Sequence, residues 1–160
     1  MPKYINRLLK LPVTYLYVVM IIAYVIIDVL CNLVLIDVLK LAFVSNEVVR
    51  GQGILKIFLY AIILGPFFET LLFQFIPIKL LSTYTFFKQR KLLMALISAL
   101  TFALTHMYSL YYFILSFLMG IVFVFFFFIT EFKKKGTGLW HTIFLHAIIN
   151  LMVFLNKYFI

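Results

Sequence analysis

The sequence predicts an all-α, polytopic transmembrane helical bundle of about five spans with a cytoplasmic N-terminus, and three observations lead there. First, 66% of the 160 residues are hydrophobic and only 12% are charged, whereas soluble domains carry about 25% charged residues. Such a chain cannot clothe a globule in polar groups. Second, its apolar runs reach the roughly 20 residues that a helix needs to cross a bilayer. Third, the 14 Lys and Arg residues sit in short clusters between those runs, as orientation signals do. A net charge of +9 would point to nucleic acid in a soluble chain. Distributed in this way it excludes nucleic acid and makes the lipid bilayer the partner. The expected location is the cell membrane, multi-pass.

The spans follow in order. "MPKYINRLLK" is basic and leads into an apolar run from Leu11 to Ile27. That run exceeds the roughly 7–15 residues of a signal-peptide core, and no small-residue cleavage site follows it. It reads as an uncleaved first span, 11–36. The others are expected at 54–80, 92–108, 110–130 and 139–159, the third barely long enough. Residues 1–53 form an N-terminal span and outer loop, and 54–160 a core. Cys31 is the only cysteine, so no intrachain disulfide exists, and inside the first span it reads as a buried structural thiol. Asp28 and Asn32, i and i+4 on that span, fall near the outer interface as helix-end polar groups. The loop "DVLKLAFVSNEVVRGQG" is partly apolar and is expected along the interface, with Gly51 and Gly53 opening the second span. Lys3, Arg7, Lys10, Lys79, Lys88, Arg90, Lys91, Lys133, Lys134 and Lys135 share one side, against Lys40, Arg50, Lys56 and Lys157 on the other. The richer side is the cytoplasmic one. Tyr108, Tyr111 and Tyr112 fall at an outer turn and read as an interfacial aromatic belt, while Trp140 marks the cytoplasmic start of the last span. The closing "KYFI" holds no cysteine, so the chain is not expected to be a prenylated CAAX protein itself.

Polar groups remain that neither loops nor interfaces explain. In "GPFFETLLFQF" Glu69 is the only charged residue between Ile57 and Ile78, with Thr70 and Gln74 for company. The third span holds His106 with Thr101 and Thr105, and the last holds His141, His146 and Asn150. An ionisable group at bilayer depth costs about 2.5–3.5 kcal/mol and usually faces a bundle interior or a wet cavity. Three separate helices each supply one. "HAIIN" sets His146 and Asn150 one turn apart on one face. Burial and a neighbouring imidazolium act on a carboxyl group in opposite senses, which is how sites are tuned for proton transfer near neutral pH. Pro66 loosens the helix just before Glu69. Against this stand plainer readings: Glu69 as a helix-packing hydrogen bonder, a structural His106, His146 and Asn150 as interhelical glue. His141, five residues from His146, points to another face and reads as interfacial. A small proton-coupled carrier with Glu69 as its proton site is a further alternative, which about five spans without an internal repeat disfavour.

"PFFETLLFQ", "FALTH" and "HAIIN", in this order, resemble the CPBP (Abi, CAAX protease and bacteriocin-processing) intramembrane proteases, which include the type II CAAX prenyl endopeptidases. The family's motifs are P-x-x-E-E-x-x-x-R, F-x-x-x-H and H-x-x-x-N/D, with one spacer helix before the last. Pro66, Glu69, Phe102, His106, His146 and Asn150 match them, and 110–130 takes the spacer's place. The resemblance covers roughly residues 60–152. Thr70 stands where a second Glu is usual and Gln74 where Arg is usual. The paired change preserves local charge, and as i,i+4 neighbours the two are expected to hydrogen-bond. The resemblance implies an intramembrane endopeptidase that opens to the cytoplasmic side and cleaves a peptide or membrane-protein substrate, with bacteriocin maturation or self-immunity as its task. It implies that Glu69 and His106 activate a water and that His146 and Asn150 stabilise the oxyanion. A metal version makes Glu69, His106 and His146 ligands of one divalent ion such as zinc, with an open fourth position. A non-catalytic immunity or scaffold protein keeping the fold is the alternative that Thr70 and Gln74 favour. At 1.5 Å per residue, His146 lies about 10 Å, Glu69 roughly 15 Å and His106 about 20 Å from the cytoplasmic ends of their spans. The third span must therefore tilt, or begin in the cytosol, for the three to meet.

Overall fold

The computed structural model describes residues 3–41 and 53–159, all helix and connecting turn. The expected interfacial loop and Gly51 lie largely outside the described residues. A short α1 (Lys3–Lys10) ends before Pro12, which cannot continue a helix and opens α2 (Val13–Val38) instead. Then come α3 (Ile54–Leu81), the single turn α4 (Thr85–Lys88), α5 (Lys91–Leu104), α6 (Leu110–Lys133) and α7 (Gly138–Phe159). The helices α2, α3, α6 and α7 are long and apolar enough to cross a bilayer. The expected third span is shorter than 92–108: α5 has 14 residues. At 1.5 Å per residue it is about 21 Å long, against a hydrocarbon core of about 30 Å. The polar run "THMYS" that follows explains the early stop, since Thr, His and Ser bond locally instead of prolonging the helix.

α6 is the central post and packs on α1, α2, α5 and α7. Its Met119, Phe123 and Phe126 meet Leu16 and Met20 of α2, Phe102 of α5, and Leu145 and Ile149 of α7 in one buried cluster. Phe127 and Val124 meet Met94 of α5 and Ile78 of α3 in a second. The α5–α6 crossing is close because residue 120 is glycine: a Cβ there would lie 2.9 Å from the Ala99 Cα. Much of α2 presents Val, Ile and Leu outward, a surface suited to lipid tails.

The basic segments gather at one end of the bundle, as expected. Lys133 Nζ donates to the Leu9 and Leu11 carbonyls at 2.7 and 2.8 Å, which ties α1 under α6. Glu131 stands 3.9 Å from Lys79 and accepts from the Gly136 and Gly138 amides, so one carboxylate joins α3 to the first turn of α7. Toward the other end the bundle divides. α2 stays with α6 through Cys31, Leu35 and Tyr111, and α3 stays with α7 through Ile57, Ile62 and Phe154. α2 and α3 make no more than marginal contact among the described residues. The two pairs splay apart, and α5 is too short to fill the gap.

Candidate active site

Glu69 lies in α3 between two stretches of wide helical turn, Leu59–Leu64 and Leu71–Phe75. There amides reach back five residues rather than four: the Gly65 N–H bonds the Tyr60 carbonyl, and the Ile76 N–H bonds the Leu71 carbonyl. A proline follows each stretch. Its missing N–H leaves the carbonyls four and five residues earlier without a helical donor. For Pro66 these belong to Ile62 and Ala61, and for Pro77 to Phe73 and Leu72. Neighbouring helices fill the vacancy, as they must in lipid. Asn150 Nδ2 on α7 donates to the Ala61 carbonyl at 2.7 Å. Ser98 and Thr101 on α5 donate to the Phe73 carbonyl at 2.8 and 3.1 Å. The two proline-freed carbonyls therefore dock the helices that bring the two histidines.

Those histidines converge on one atom. Glu69 Oε2 is 3.6 Å from His146 Nε2 and 3.8 Å from His106 Nε2. His106 stands two residues beyond α5, in a turn where its amide bonds the Ala103 carbonyl. Ending α5 at this depth is what brings His106 level with Glu69, so the shortness of the helix resolves the depth mismatch. His106 Nδ1 is 3.0 Å from the Phe102 carbonyl. A carbonyl only accepts, so Nδ1 carries the hydrogen, and the lone pair of the neutral ring is on Nε2, facing Glu69. Thr105 Oγ1 lies at 3.0 Å from the same Nδ1. The Phe102 ring packs against both imidazoles, at centroid distances of 4.6 Å to His106 and 5.7 Å to His146. Phe123 lies 4.7 Å from His146. His146 is buried, and its Nδ1 is 3.4 Å from Thr70 Oγ1.

Glu69, His106 and His146 form the floor of a cavity of about 1330 Å³, on whose wall Asn150 also lies. The cavity extends from them away from the basic loops, past Asp28 and Asn32 on α2, Tyr60 on α3 and Asn156 on α7. The cavity does not open toward the basic end, the end at which the sequence placed the expected cytoplasmic opening. On that side of the floor Phe126, Leu145 and Thr142 are fully buried and fill the space. Asp28 and Asn32, expected as mere helix-end residues, belong to the cavity wall. Of the three tyrosines expected as an interfacial belt, Tyr111 is instead 2% exposed, and its hydroxyl donates to Asn32 Oδ1 at 3.1 Å, while Tyr108 is exposed.

Thr70 and Gln74 do not bond one another. The wide turn at 71–75 rotates residue 74 off the face that i,i+4 spacing would give it. Thr70 instead reaches His146, while both amide atoms of the fully buried Gln74 lack a partner among the described residues. His141 is outside the site, as its spacing from His146 suggested: its Nδ1 lies 2.9 Å from the Tyr17 hydroxyl, linking α7 to α2. Cys31 is buried, as expected.

The donor set Glu69, His106 and His146 suits zinc in kind. Ligand atoms around tetrahedral zinc stand roughly 3.3 Å apart, closer than the 3.6 and 3.8 Å found here. No group of three His, Cys, Asp or Glu among the described residues is arranged to hold a metal ion. The sequence reading missed Ser98, Pro77 and the clamp made by Glu131. A proline four residues after Phe73, with two hydroxyl residues at i,i+3 on another apolar helix, was the available signal for the first two.

No curated protein and no solved structure matches the chain. Residues 51–152, the stretch that contains Glu69, His106, His146 and Asn150, match the family described as "Type II CAAX prenyl endopeptidase Rce1-like". With its motifs and their meeting point both in hand, the chain belongs to the Rce1-like family of CAAX-protease-related membrane proteins.

Proposed function

We propose that this protein is an intramembrane endopeptidase in which Glu69 and His106 activate a water molecule. The observation that carries the reading is the single carboxylate oxygen flanked by two imidazole Nε2 atoms at 3.6 and 3.8 Å on the floor of a large cavity. Glu69 Oε2 and His106 Nε2 both accept hydrogen bonds, and a water supplies the two donors they need. As its oxygen bonds to the scissile carbonyl carbon, one proton passes to the Glu69–His106 pair. With Thr70 donating to Nδ1, His146 presents Nε2–H to the developing oxyanion. The C–N bond then breaks and the stored proton leaves on the amine. Asn150, engaged with the Ala61 carbonyl, holds α7 in place and keeps a second N–H for the intermediate.

The substrate in this reading is a peptide or a membrane-protein segment. A bacteriocin-like peptide, matured or destroyed here, is the class that the family resemblance implies. No step needs a metal ion. The test is cleavage of candidate peptides by the purified protein beside Glu69→Gln and His106→Ala. Losing a general base removes about 10²–10⁴-fold of rate, so both variants are expected to fall by that order while remaining folded. Equal processing by all three proteins would leave the non-catalytic scaffold reading, which Thr70 and Gln74 favour.

A further inference from the structure

Two independent features of the chain are oriented relative to one another by the fold. One is charge: the segments carrying Lys79, Lys88, Arg90, Lys91 and Lys133–Lys135 lie at one end of the bundle, joined there by the contacts of Lys79 and Lys133. Loops this rich in Lys and Arg stay in the cytoplasm. The other is the cavity. Each helix contributes to it only from the catalytic floor toward the opposite end: α2 from Tyr24 onward, α3 up to Glu69, α6 up to Phe123 and α7 from His146 onward. On the basic side of that floor lies packed core.

We infer that the site is reached from the non-cytoplasmic side of the membrane, so that its substrates are exported peptides or protein segments exposed on that face. The inference rests on the protease reading for the word substrate, but the access route stands on geometry and charge alone. Three further observations agree with it. The cavity volume of about 1330 Å³ exceeds the roughly 300–1,000 Å³ of small-molecule pockets and suits a stretch of polypeptide. Its far half carries Asp28, Asn32 and the hydroxyl-bearing Tyr60, polar groups suited to contact with water and peptide rather than with lipid tails. In this same half the α2–α6 pair and the α3–α7 pair are buried in two separate clusters with the cavity lined by both, which gives an extended chain somewhere to lie. The family's description is that of a CAAX prenyl endopeptidase, and a prenylated C-terminus offered from the basic side is the alternative substrate. It would have to approach through Phe126, Leu145 and Thr142, all fully buried.

The experiment reads access without reading catalysis. In a Cys31→Ser background, Ser116→Cys places a thiol on the cavity wall and Gln89→Cys places one in the basic loop between α4 and α5. Sealed membrane vesicles of known orientation are treated with a small, charged, membrane-impermeant methanethiosulfonate. The thiol at 116 is expected to react when the non-cytoplasmic face is outside and to lose that reaction in inverted vesicles; the thiol at 89 is expected to do the reverse. Reaction of both thiols only in inverted vesicles would overturn the inference, as would reaction of 116 in inverted vesicles with 89 labelled from the other face. Failure of labelling at 116 in both orientations, with the detergent-solubilised protein reactive, would overturn it too. Repeating the labelling in Glu69→Gln separates the two ideas. An unchanged pattern with cleavage lost supports both, and an unchanged pattern with cleavage retained removes the protease reading alone.

Discussion

Thr70 replaces a residue that is acidic in the motif it otherwise resembles, and its surroundings explain what the hydroxyl does. It is fully buried on the face of α3 that meets His146, 3.4 Å from Nδ1. A hydroxyl donating there fixes the imidazole with its N–H on Nε2, toward Glu69. Val has the shape of Thr without the donor, so Thr70→Val is expected to keep the fold and free the ring. Misplacing a catalytic group by a fraction of its reach costs on the order of 10²-fold, which is the loss expected in kcat with KM little changed. Thr70→Ser restores the donor and is expected to recover most of the rate. A Val variant as fast as the parent would show that Thr70 merely fills space. Gln74 is a different case. Both its amide atoms are buried without partners, and it does not line the cavity. An unsatisfied buried polar group costs about 1–3 kcal/mol. Gln74→Met, of similar length, is therefore expected to raise the thermal midpoint in detergent and to leave cleavage unchanged. A large loss of cleavage would mean that Gln74 supports the site through a contact absent from this conformation.

Among the helices, α3 governs the rest, because its two prolines create the acceptors on which α5 and α7 dock. Asn150→Ala leaves the Ala61 carbonyl without its partner, an expected loss of about 1–3 kcal/mol. Pro66→Ala returns an N–H to the helix at the position that serves Ile62 and Ala61. The double variant should therefore lose less than the sum of the two single variants, by a coupling on the order of 0.5–3 kcal/mol. Chemical denaturation in mixed micelles measures this, and strict additivity would show that the proline and the amide act separately. The same helix shows what could be read in advance. Its extent, and those of α6 and α7, follow from apolar length, which is a property of composition. Glu69, His106 and His146 were legible because a charged or polar group in such a run needs company. The wide turns were not legible, since nothing in "LYAIIL" or "LLFQF" distinguishes a five-residue reach from a four-residue one. The expected Thr70–Gln74 bond failed for that reason. The length of α5 was misjudged because apolarity alone was counted, while Thr105, His106 and Ser109 had already begun to satisfy the backbone locally.

Considered as a whole, the bundle is a wedge: dense at the basic end, divided at the other, with the candidate site where the division begins. Which way that wedge faces could not be read from any one helix, because the cavity depends on which pairs of helices stay together. Charge placed the helices' ends, and only packing placed the opening. The wedge also bears on the carrier alternative. Alternating access requires that the polar site become open to each side in turn, with a weak path on both sides of it. Here one side holds Phe126, Phe127, Leu145, Thr130 and Thr142, each 0–2% exposed. The Lys79–Glu131 and Lys133 contacts then close the end of the bundle. Liposomes containing the protein are therefore expected to hold an imposed pH gradient as long as empty liposomes do, with the parent and Glu69→Gln behaving alike. A leak or a driven uptake that vanishes in Glu69→Gln would require the packed half to open on the turnover timescale, and would make Glu69 a transported-proton site instead of a base.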